Sequence, residues 1–384
     1  MKQMCTRCLY NEDLPSITFD ENGVCNYCHQ HDQMVAEYPI GPEGERKLHE
    51  IADQIRKEGR GKDYDVIIGV SGGCDSSYMV HLAKEVLGLR PLAVHFDNTW
   101  DSTVAVENIH SVLKTLNVDL WTYVVDNEEY DDIYRSFLKA GLPDIEAQTD
   151  IGLASVLNMA CEKFKVRYIF EGHSFRTEGI SPLGWLYMDG KYIQNVHKQY
   201  GTIPLKTYPN MLMWDFIRWT AFRQIKKIRP LYYIDYQKKE AMNLLTNDLG
   251  WEWYGGHHLE NRFTAFYHSF FLPQRFQIDG RLLGYAAMVR SGQMTQEQGL
   301  ELIKEPQKFD PELIEMVKKR LGFADEEFER LMNLPKRSYR EFKTYKKTFE
   351  RMRWFWYLMY KLDRVPKSFY IKFTAPDTQP SKQR

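Results

Sequence analysis

The stretch YDVIIGVSGGCDSSYMVHLAKEVLG, residues 64–88, decides the fold of this protein. Residues 66–70 form a short apolar run of the kind that predicts a buried strand, and apolar residues then recur at helical spacing over 79–86. Between them, Gly72 and Gly73 remove side chains where the backbone must turn sharply and approach a ligand closely. The pattern predicts a strand, a tight turn and a helix in immediate succession.

The turn is predicted to bind a phosphate group. Ser76 and Ser77 lie at the start of the helix, where free N–H groups and the positive end of the helix dipole favour an anion. The turn lacks the lysine of a Walker A loop, and Gly-x-Gly-x-x-Gly is absent. Residues 69–73 match the Gly-x-Ser-x-Gly pattern of a nucleophile elbow, but no oxyanion loop or histidine partner is evident. A plain helix cap is the remaining alternative, although a single serine would suffice for it.

Residues 71–77, Ser-Gly-Gly-Cys-Asp-Ser-Ser, resemble the PP-loop of the ATP pyrophosphatases; we call them the phosphate loop. The resemblance implies that the loop binds the β,γ-pyrophosphate of ATP while the α-phosphate is attacked, with Asp75 as a ligand of Mg²⁺. The nucleotide-binding residues that follow are Ser71, Gly72, Gly73, Asp75, Ser76 and Ser77 in the loop, Val94 and Phe96 beside adenine, Gly172 near the nucleotide, and the cations Arg229 and Lys238.

Further strands and helices are predicted to alternate after the phosphate loop. The strand patterns cover 91–96, 119–125 and 166–172, and the helical segments between them lie near 102–116, 131–140 and 150–164. Such alternation predicts an α/β fold, a doubly wound parallel sheet with ligands at the carboxyl ends of the strands. The resemblance of the phosphate loop implies that this sheet is of the HUP-like PP-loop class. His173 follows one such end, where it would either bind phosphate or cap a turn.

Four cysteines in the first 28 residues form two Cys-x-x-Cys pairs: Cys5, Cys8, Cys25 and Cys28. Two such pairs facing each other make a tetrahedral thiolate cage, so we predict a zinc ribbon over residues 1–40 with a structural Zn²⁺. Disulfides are the alternative, but nothing indicates secretion. His29 and His31 are close enough in sequence to replace one of the cysteines.

Composition and charge indicate a cytoplasmic protein with a basic end. The 384 residues are 43% hydrophobic, no apolar run is long enough to span a bilayer, and the first residues lack the apolar region of a signal peptide. The net charge is −1, yet the segment 335–384 holds 14 Lys/Arg against 4 Asp/Glu. That segment is either a contact for nucleic acid, membrane or an acidic partner, or a solvated helical surface.

The stretch 251–295 carries a longer resemblance. Its Gly-Gly-His-His-x-Glu, Leu-Pro-x-Arg-Phe and Ser-Gly-Gln elements, with the cysteine pairs and RPLYYIDYQKKE (229–240), resemble the N-acetyl sugar amidotransferases of bacterial surface-polysaccharide (lipopolysaccharide, O-antigen) synthesis. The resemblance implies that ATP adenylates an acetamido oxygen and that ammonia replaces it, giving an acetamidino sugar, AMP and pyrophosphate. His257, where a lysine is expected, and the unusual stretch 171–192 leave the sugar's identity open.

Four residues are predicted to be catalytic: Asp75, His173, His258 and Glu260. Glu260 would take a proton from attacking ammonia, whereas a surface helix with satisfied side chains is the alternative for the His-Glu cluster. The predicted domains are the ribbon 1–40, a PP-loop domain 60–250, a helical substrate or partner region 251–374, and a disordered tail 375–384.

The ammonia is expected to come from another protein. Cys161 lacks the turn and histidine of a glutaminase, and Cys74 lies inside the phosphate loop. The resemblance suggests a histidine-synthesis-like glutaminase with its barrel partner. The cationic, aromatic segment 351–373 would dock on that partner, contact a membrane surface, or pack on the body. The alternatives for the whole chain are a tRNA-thiolating enzyme, which the ribbon and basic end would suit, and a non-catalytic nucleotide-binding scaffold.

Overall fold

A parallel sheet forms the centre of the protein in the computed structural model, which describes residues 2–256 and 259–376. The strand order is β3-β2-β1-β4-β5. The strands are β1 (Val66–Gly69), β2 (Pro91–Asp97), β3 (Asp119–Val124), β4 (Tyr168–Phe170) and β5 (Lys226–Ile228). Ile68 of β1 pairs with Ala93 on one side and Phe170 on the other. The phosphate loop therefore leaves the sheet at its middle, where the strand order reverses and ligands of open α/β sheets bind.

Helices cover both faces of this sheet, except for the first helix, which packs around the N-terminal cysteines. In chain order they are α1 (Asn26–Glu37), α2 (Pro42–Glu58), α3 (Cys74–His81), α4 (Thr103–Leu116), α5 (Asn127–Ala140), α6 (Ala147–Phe164), α7 (Gly190–Tyr200), α8 (Met213–Ile217) and α9 (Lys238–Leu249). Ile67 lies in a core shared with α5 and α6, whereas its neighbour Ile68 lies in a core shared with α2, α3, α4 and α9. Successive strand residues point to opposite faces, so this arrangement confirms the predicted doubly wound fold.

The rest of the described chain is helical, as predicted. It comprises α10 (Arg262–Phe266), α11 (Arg281–Arg290), α12 (Gln296–Lys304), α13 (Pro311–Leu321), α14 (Asp325–Met332), α15 (Lys346–Arg351), α16 (Arg353–Lys361) and α17 (Lys367–Thr374). Three π-helical segments follow α3, α8 and α10, namely Leu82–Val86, Arg218–Phe222 and Tyr267–Phe276. The predicted disordered tail lies, from residue 377 onward, outside the described residues.

The cationic, aromatic segment packs on the body through one face of α16. Trp356 is fully buried and stacks on Phe216 with ring centroids 4.9 Å apart. The opposite face leaves Trp354 71% exposed, with Tyr357 and Leu358 also exposed. Among the helices of the described residues, none is both long enough and apolar enough to cross a membrane.

Candidate active site and metal cluster

The phosphate loop has a backbone that only glycine permits at its second position. Gly72 has φ +77°, and a Cβ there would lie 2.2 Å from the carbonyl oxygen of Ala105 in α4. The following Gly73 has an extended backbone and is the N-cap of α3. The loop thus presses against α4 and turns directly into the N-terminus of α3, which leaves backbone N–H groups available for an anion.

Two serine hydroxyls lie together at the mouth of this loop. The Ser71 and Ser76 Oγ atoms are 3.4 Å apart, Ser71 Oγ accepts from the Gly73 amide, and Ser76 Oγ donates to the Gly73 carbonyl. Ser77 differs, since it is buried within α3. The predicted loop residues are therefore brought together: the Ser71 and Ser76 hydroxyls lie at the mouth of the loop, and Ser77 faces the interior. Their contact with phosphate stays a prediction.

Two side chains that sequence reasoning missed hold the loop from behind. The indole Nε1 of Trp251 donates to the Gly72 carbonyl at 2.9 Å, and Asn108 Nδ2 reaches the same oxygen at 3.3 Å. Asn108 also exchanges two hydrogen bonds with the backbone of Glu252. Trp251 is fully buried, so the chain just after α9 fixes the loop's conformation.

Asp75 lies in a buried network beside the phosphate loop. Its Oδ1 accepts from the Tyr236 hydroxyl, and its Oδ2 lies 3.4 Å from Lys238 Nζ. Burial raises the pKa of Asp75, Glu178 raises it further, and Lys238 and Tyr236 offset only part of this increase. The backbone around Asp75 closely approaches Gly172, where a Cβ would lie 3.5 Å from the Asp75 carbonyl.

The residues around Asp75 fit a magnesium ion. Asp75 and Glu178 are close enough for their charges to raise the pKa of Asp75, and a divalent cation would reverse that repulsion. Carboxylate oxygens are the ligands that Mg²⁺ prefers. The predicted catalytic His173 contributes by orienting Glu178, because its Nδ1 lies 2.8 Å from Glu178 Oε2. Glu178 itself carried no recognisable sequence signal.

Glu260 approaches the phosphate loop from the opposite side. A Cβ on Gly73 would lie 3.4 Å from both Glu260 Oε1 and the Tyr254 hydroxyl. Burial, with the negative charges of Glu260 and Asp75, raises the pKa of Tyr254 and keeps it a neutral hydrogen-bond donor. Tyr254 was not predicted as a site residue. His258, predicted as catalytic, lies outside the described residues.

Three further residues predicted to contact the nucleotide are Val94, Phe96 and Arg229. Two of them lie in the core, and the third is in an ion pair. Val94 is buried and its carbonyl accepts from the Val70 amide, while the Phe96 ring packs on Gly152 of α6. Both side chains belong to the core, so their contact with adenine stays a prediction. Arg229 Nε donates to Glu171 Oε2 at 2.9 Å, immediately before Gly172.

The Arg229–Glu171 pair is part of a half-buried charge cluster at the end of β4. Lys227 Nζ lies 3.0 Å from the other Glu171 oxygen, and Arg229 also donates to the Tyr232 hydroxyl. Burial raises the pKa of Glu171, but Lys227 and Arg229 outweigh it and lower that pKa to about 2. Arg229 therefore neutralises a half-buried carboxylate, and its predicted contact with phosphate stays a prediction.

The four N-terminal cysteines converge into one buried cluster, as the spacing predicted. The Sγ separations are 3.8 Å for Cys5–Cys28, 3.7 Å for Cys8–Cys25 and 3.6 Å for Cys25–Cys28. Ligands at about 2.3 Å from a tetrahedral ion lie about 3.8 Å apart, so the cluster can hold a metal ion. The neighbouring histidines do not replace a cysteine: His29 pairs with Asp20, and His31 packs on Phe175.

The Cys cluster is joined to the C-terminal helices. Arg290 at the end of α11 donates to Cys8 Sγ at 3.2 Å and lies 4.2 Å over the Tyr10 ring. Gln296 at the start of α12 donates to the carbonyls of Cys5 and Cys8. A tetrathiolate metal centre is negatively charged, and the buried Arg290 partly neutralises it.

Replacing Cys8 with Ala is expected to release the metal and lower the stability of the whole chain by about 3–5 kcal/mol, because Arg290 would lose the charge that it faces while buried. Metal analysis of the purified protein and thermal unfolding measure the two effects. Cys161→Ala is the matched control, since Cys161 is also buried but lies in α6. A Cys8→Ala protein that binds as much metal as the wild type would contradict the assignment.

Two family models match separate parts of the chain. Residues 260–356 match the C-terminal domain of LPS biosynthesis protein WbpG-like proteins. Residues 45–156, which hold β1 and the phosphate loop, match NAD synthase. Together with the parallel sheet, these matches give the chain the fold of the PP-loop ATP pyrophosphatases, a class of ATP-using enzymes. The WbpG-like segment adds a likeness to lipopolysaccharide biosynthesis proteins.

Individual proteins are similar over shorter stretches. An uncharacterised protein of Methanocaldococcus jannaschii, MJ1599, is 30% identical over 171 residues, which are 44% of this chain and 58% of that protein. The tRNA-specific 2-thiouridylase MnmA of Colwellia psychrerythraea is 33% identical over 126 residues, 29% of this chain and 34% of that protein. The chain thus matches less than two thirds of the length of either curated relative.

Solved structures that match this chain include two proteins of low sequence identity. The NMN synthetase of Francisella tularensis has 12% identity and a TM-score of 0.32, over 76% of this chain and 96% of that chain. The U34-tRNA thiolase NcsA of Methanococcus maripaludis, with its [4Fe-4S] cluster, has 13% identity and a TM-score of 0.31, over 76% and 88%.

Proposed function

We propose that this protein is an ATP-dependent amidotransferase that converts the acetamido group of an N-acetylated sugar into an acetamidino group, releasing AMP and pyrophosphate. One observation carries the proposal. Glu260, the first residue of the WbpG-like segment, places its carboxylate beside Gly73 of the phosphate loop. A segment similar to lipopolysaccharide biosynthesis proteins therefore contributes an acid–base group to the site where ATP would bind.

In the first step, the acetamido oxygen attacks the α-phosphorus of ATP. A P–O bond forms, the bond between the α-phosphorus and the bridging oxygen breaks, and pyrophosphate leaves with the electron pair. The amides at the start of α3 and the hydroxyls of Ser71 and Ser76 hold that leaving group. Mg²⁺ held by Asp75 and Glu178 would neutralise charge on the polyphosphate.

In the second step, ammonia attacks the activated imidate carbon. Glu260 accepts a proton from the nitrogen as the C–N bond forms, and AMP leaves as the C–O bond breaks. An amide carbonyl is a poor electrophile, and adenylation supplies the leaving group that this substitution needs. Tyr254, kept neutral beside Glu260, donates a hydrogen bond to the reacting oxygen or to the phosphate.

The ammonia source in this proposal is a separate glutaminase of the histidine-synthesis type, with its barrel partner. The two cysteines outside the Cys cluster support this choice. Both are buried, and burial raises the pKa of the Cys74 thiol to about 11 and that of Cys161 as well. Neither is a reactive thiolate of the kind that glutamine hydrolysis requires.

The proposal is tested with ATP, Mg²⁺, ammonium salt and a panel of nucleotide-linked and lipid-linked N-acetyl sugars. Sugar-dependent release of AMP and pyrophosphate, with a sugar product whose mass shows an imino nitrogen in place of oxygen, is the expected result. No AMP release with any of these sugars would contradict the proposal.

Glu260→Gln is expected to reduce formation of the amidino sugar by about 10²-fold, because a positioned general base contributes 10²–10⁴-fold. In a single turnover with enzyme in excess, sugar-dependent pyrophosphate release should fall much less, since adenylation precedes the proton transfer. Glu252→Gln is the control, the same change at an exposed side chain eight positions earlier. Equal loss of both products would instead assign Glu260 to ATP binding.

A second candidate function is tRNA thiolation, which the 33% identity to a tRNA-specific 2-thiouridylase favours. Against this candidate, the buried positions of Cys74 and Cys161 offer no accessible sulfur carrier. AMP release that depends on tRNA and a sulfur donor, with no response to sugars, would favour it.

A further inference from the structure

A group of three potential metal ligands lies at the carboxyl end of β2. His95 and Asp97 belong to β2, and Asp101 follows four residues later. One ligand atom from each lies within 4.8 Å of the other two. His95 is 7% exposed, and both aspartates are partly exposed, so the group is largely enclosed but reachable from outside. The proposed mechanism uses none of these side chains.

The orientation of His95 leaves one ring nitrogen available as a ligand. Its Nδ1 lies 3.0 Å from the Val70 carbonyl oxygen. A carbonyl only accepts hydrogen bonds, so Nδ1 carries the hydrogen, and in the neutral ring Nε2 then has a bare lone pair. Metal-binding histidines are commonly fixed by this same contact from the second nitrogen to a backbone carbonyl.

The lone pair of His95 faces a buried carboxylate oxygen. Nε2 lies 3.4 Å from Asp101 Oδ2, and that oxygen is buried without a hydrogen-bond donor. The other oxygen of Asp101 accepts from Asn261 Nδ2 at 3.1 Å. A lone pair and a carboxylate oxygen repel each other at this distance unless a cation lies between them. Two ligands at about 2.1 Å from a tetrahedral ion are about 3.4 Å apart.

Asp97 supplies a third ligand whose orientation is also fixed. The Thr99 amide donates to Asp97 Oδ1 at 2.7 Å. A set of one imidazole nitrogen and two carboxylates suits divalent first-row transition metals, whereas Mg²⁺ prefers oxygen ligands and water. Three protein ligands leave coordination positions open to water or to a substrate.

We propose that His95, Asp97 and Asp101 bind one divalent transition-metal ion, separate from the ion at Asp75 and from the Cys cluster. The site lies where the two family-matched segments meet, because Asp101 forms an antiparallel bridge with Asn261 and the Ser102 amide donates to the Glu260 carbonyl. The ion would fix the WbpG-like segment against the carboxyl end of β2. The proposal does not depend on the proposed amidotransferase reaction.

The test is Mn²⁺ binding to the full chain without nucleotide or sugar, followed by electron paramagnetic resonance. Mn²⁺ favours oxygen and imidazole ligands over the thiolates of the Cys cluster. We expect a bound Mn²⁺ whose spin-echo modulation shows a coupled ¹⁴N, whether or not a further Mn²⁺ occupies the carboxylates at Asp75. That coupling should disappear in His95→Gln and persist in Asp75→Asn and in His110→Gln, an exposed histidine of α4.

Asp97→Asn provides a second variant if His95→Gln fails to fold, because Asp97 is partly exposed; its Mn²⁺ affinity should fall at least tenfold. The competing arrangement is a protonated His95 paired with Asp101. A wild-type protein without ¹⁴N coupling would indicate that arrangement and overturn the proposal. A coupling that persists in His95→Gln would come from another nitrogen and would overturn it too. Wild-type affinity in Asp97→Asn would overturn it as well.

Discussion

Asp75→Asn is expected to reduce ATP turnover by about 10³-fold, because it removes a single negative charge from the site. The substitution keeps the shape of the side chain and an oxygen for the Tyr236 hydroxyl, but it removes the charge that would hold Mg²⁺. The effect is measured as pyrophosphate release with saturating ATP and a sugar substrate. Asp248→Asn, the same change at an exposed position of α9, should leave turnover unchanged.

The same variant should be at least as stable as the wild-type protein. The folded-state pKa of Asp75 is raised above its ordinary value of 3.8. Folding therefore favours the protonated carboxyl, and the wild type loses stability as the pH rises above about 4 towards the raised pKa. Asparagine carries no charge and avoids this loss. Unaltered turnover, or a protein that unfolds well below the wild type, would contradict the role given to Asp75.

Gly72→Ala is expected to lower stability by about 3 kcal/mol or more and to abolish ATP turnover. Two costs combine at this position: a left-handed backbone that disfavours alanine, and a Cβ that would overlap the Ala105 carbonyl at 2.2 Å. Because the Ala105 carbonyl belongs to helix backbone, the loop must move, and the hydrogen bond from Trp251 to Gly72 would be lost with it.

Gly61→Ala separates the two costs. Gly61 has the same φ of +77°, but a Cβ there meets nothing within 4 Å. We expect this control to lose only about 1–2 kcal/mol, from the backbone conformation alone, and to keep its activity. Denaturant unfolding of both variants measures the difference. Equal losses would show that close packing against α4 does not constrain the phosphate loop.

Local patterns in the sequence were sufficient to predict the centre of the fold. The apolar run before Ser71, the glycine pair and the spacing of the cysteines each occupy a few consecutive residues, and the strands at 91–97 and 119–124 follow from apolar runs. The strand Lys226–Ile228 was missed, because it is three residues long and mostly charged. It lies at the sheet edge, where the β-strand propensity of the residues is a weak predictor.

Contacts between residues that are distant in the sequence could not be predicted from local patterns. Trp251 donates a hydrogen bond to Gly72, which lies 179 positions earlier in the chain. The charge of Glu178 raises the pKa of Asp75, although the two residues share no sequence motif. Arg229 was predicted as a cation that neutralises pyrophosphate charge, and the sequence did not indicate its contact with Glu171. Each case depends on which side chains the tertiary fold brings together, and a single sequence does not contain that pairing.

The contact between Arg290 and the Cys cluster has a consequence for the order of synthesis. Arg290 lies 282 positions after Cys8, and Gln296 lies 291 positions after Cys5. At roughly 5–20 residues per second, a ribosome needs about 15–60 s to make the intervening chain. During that time the C-terminal helices that pack on Leu9 and Tyr10 have not yet been made. The nascent chain must therefore keep this surface from misassociating until nearly three hundred further residues have been made.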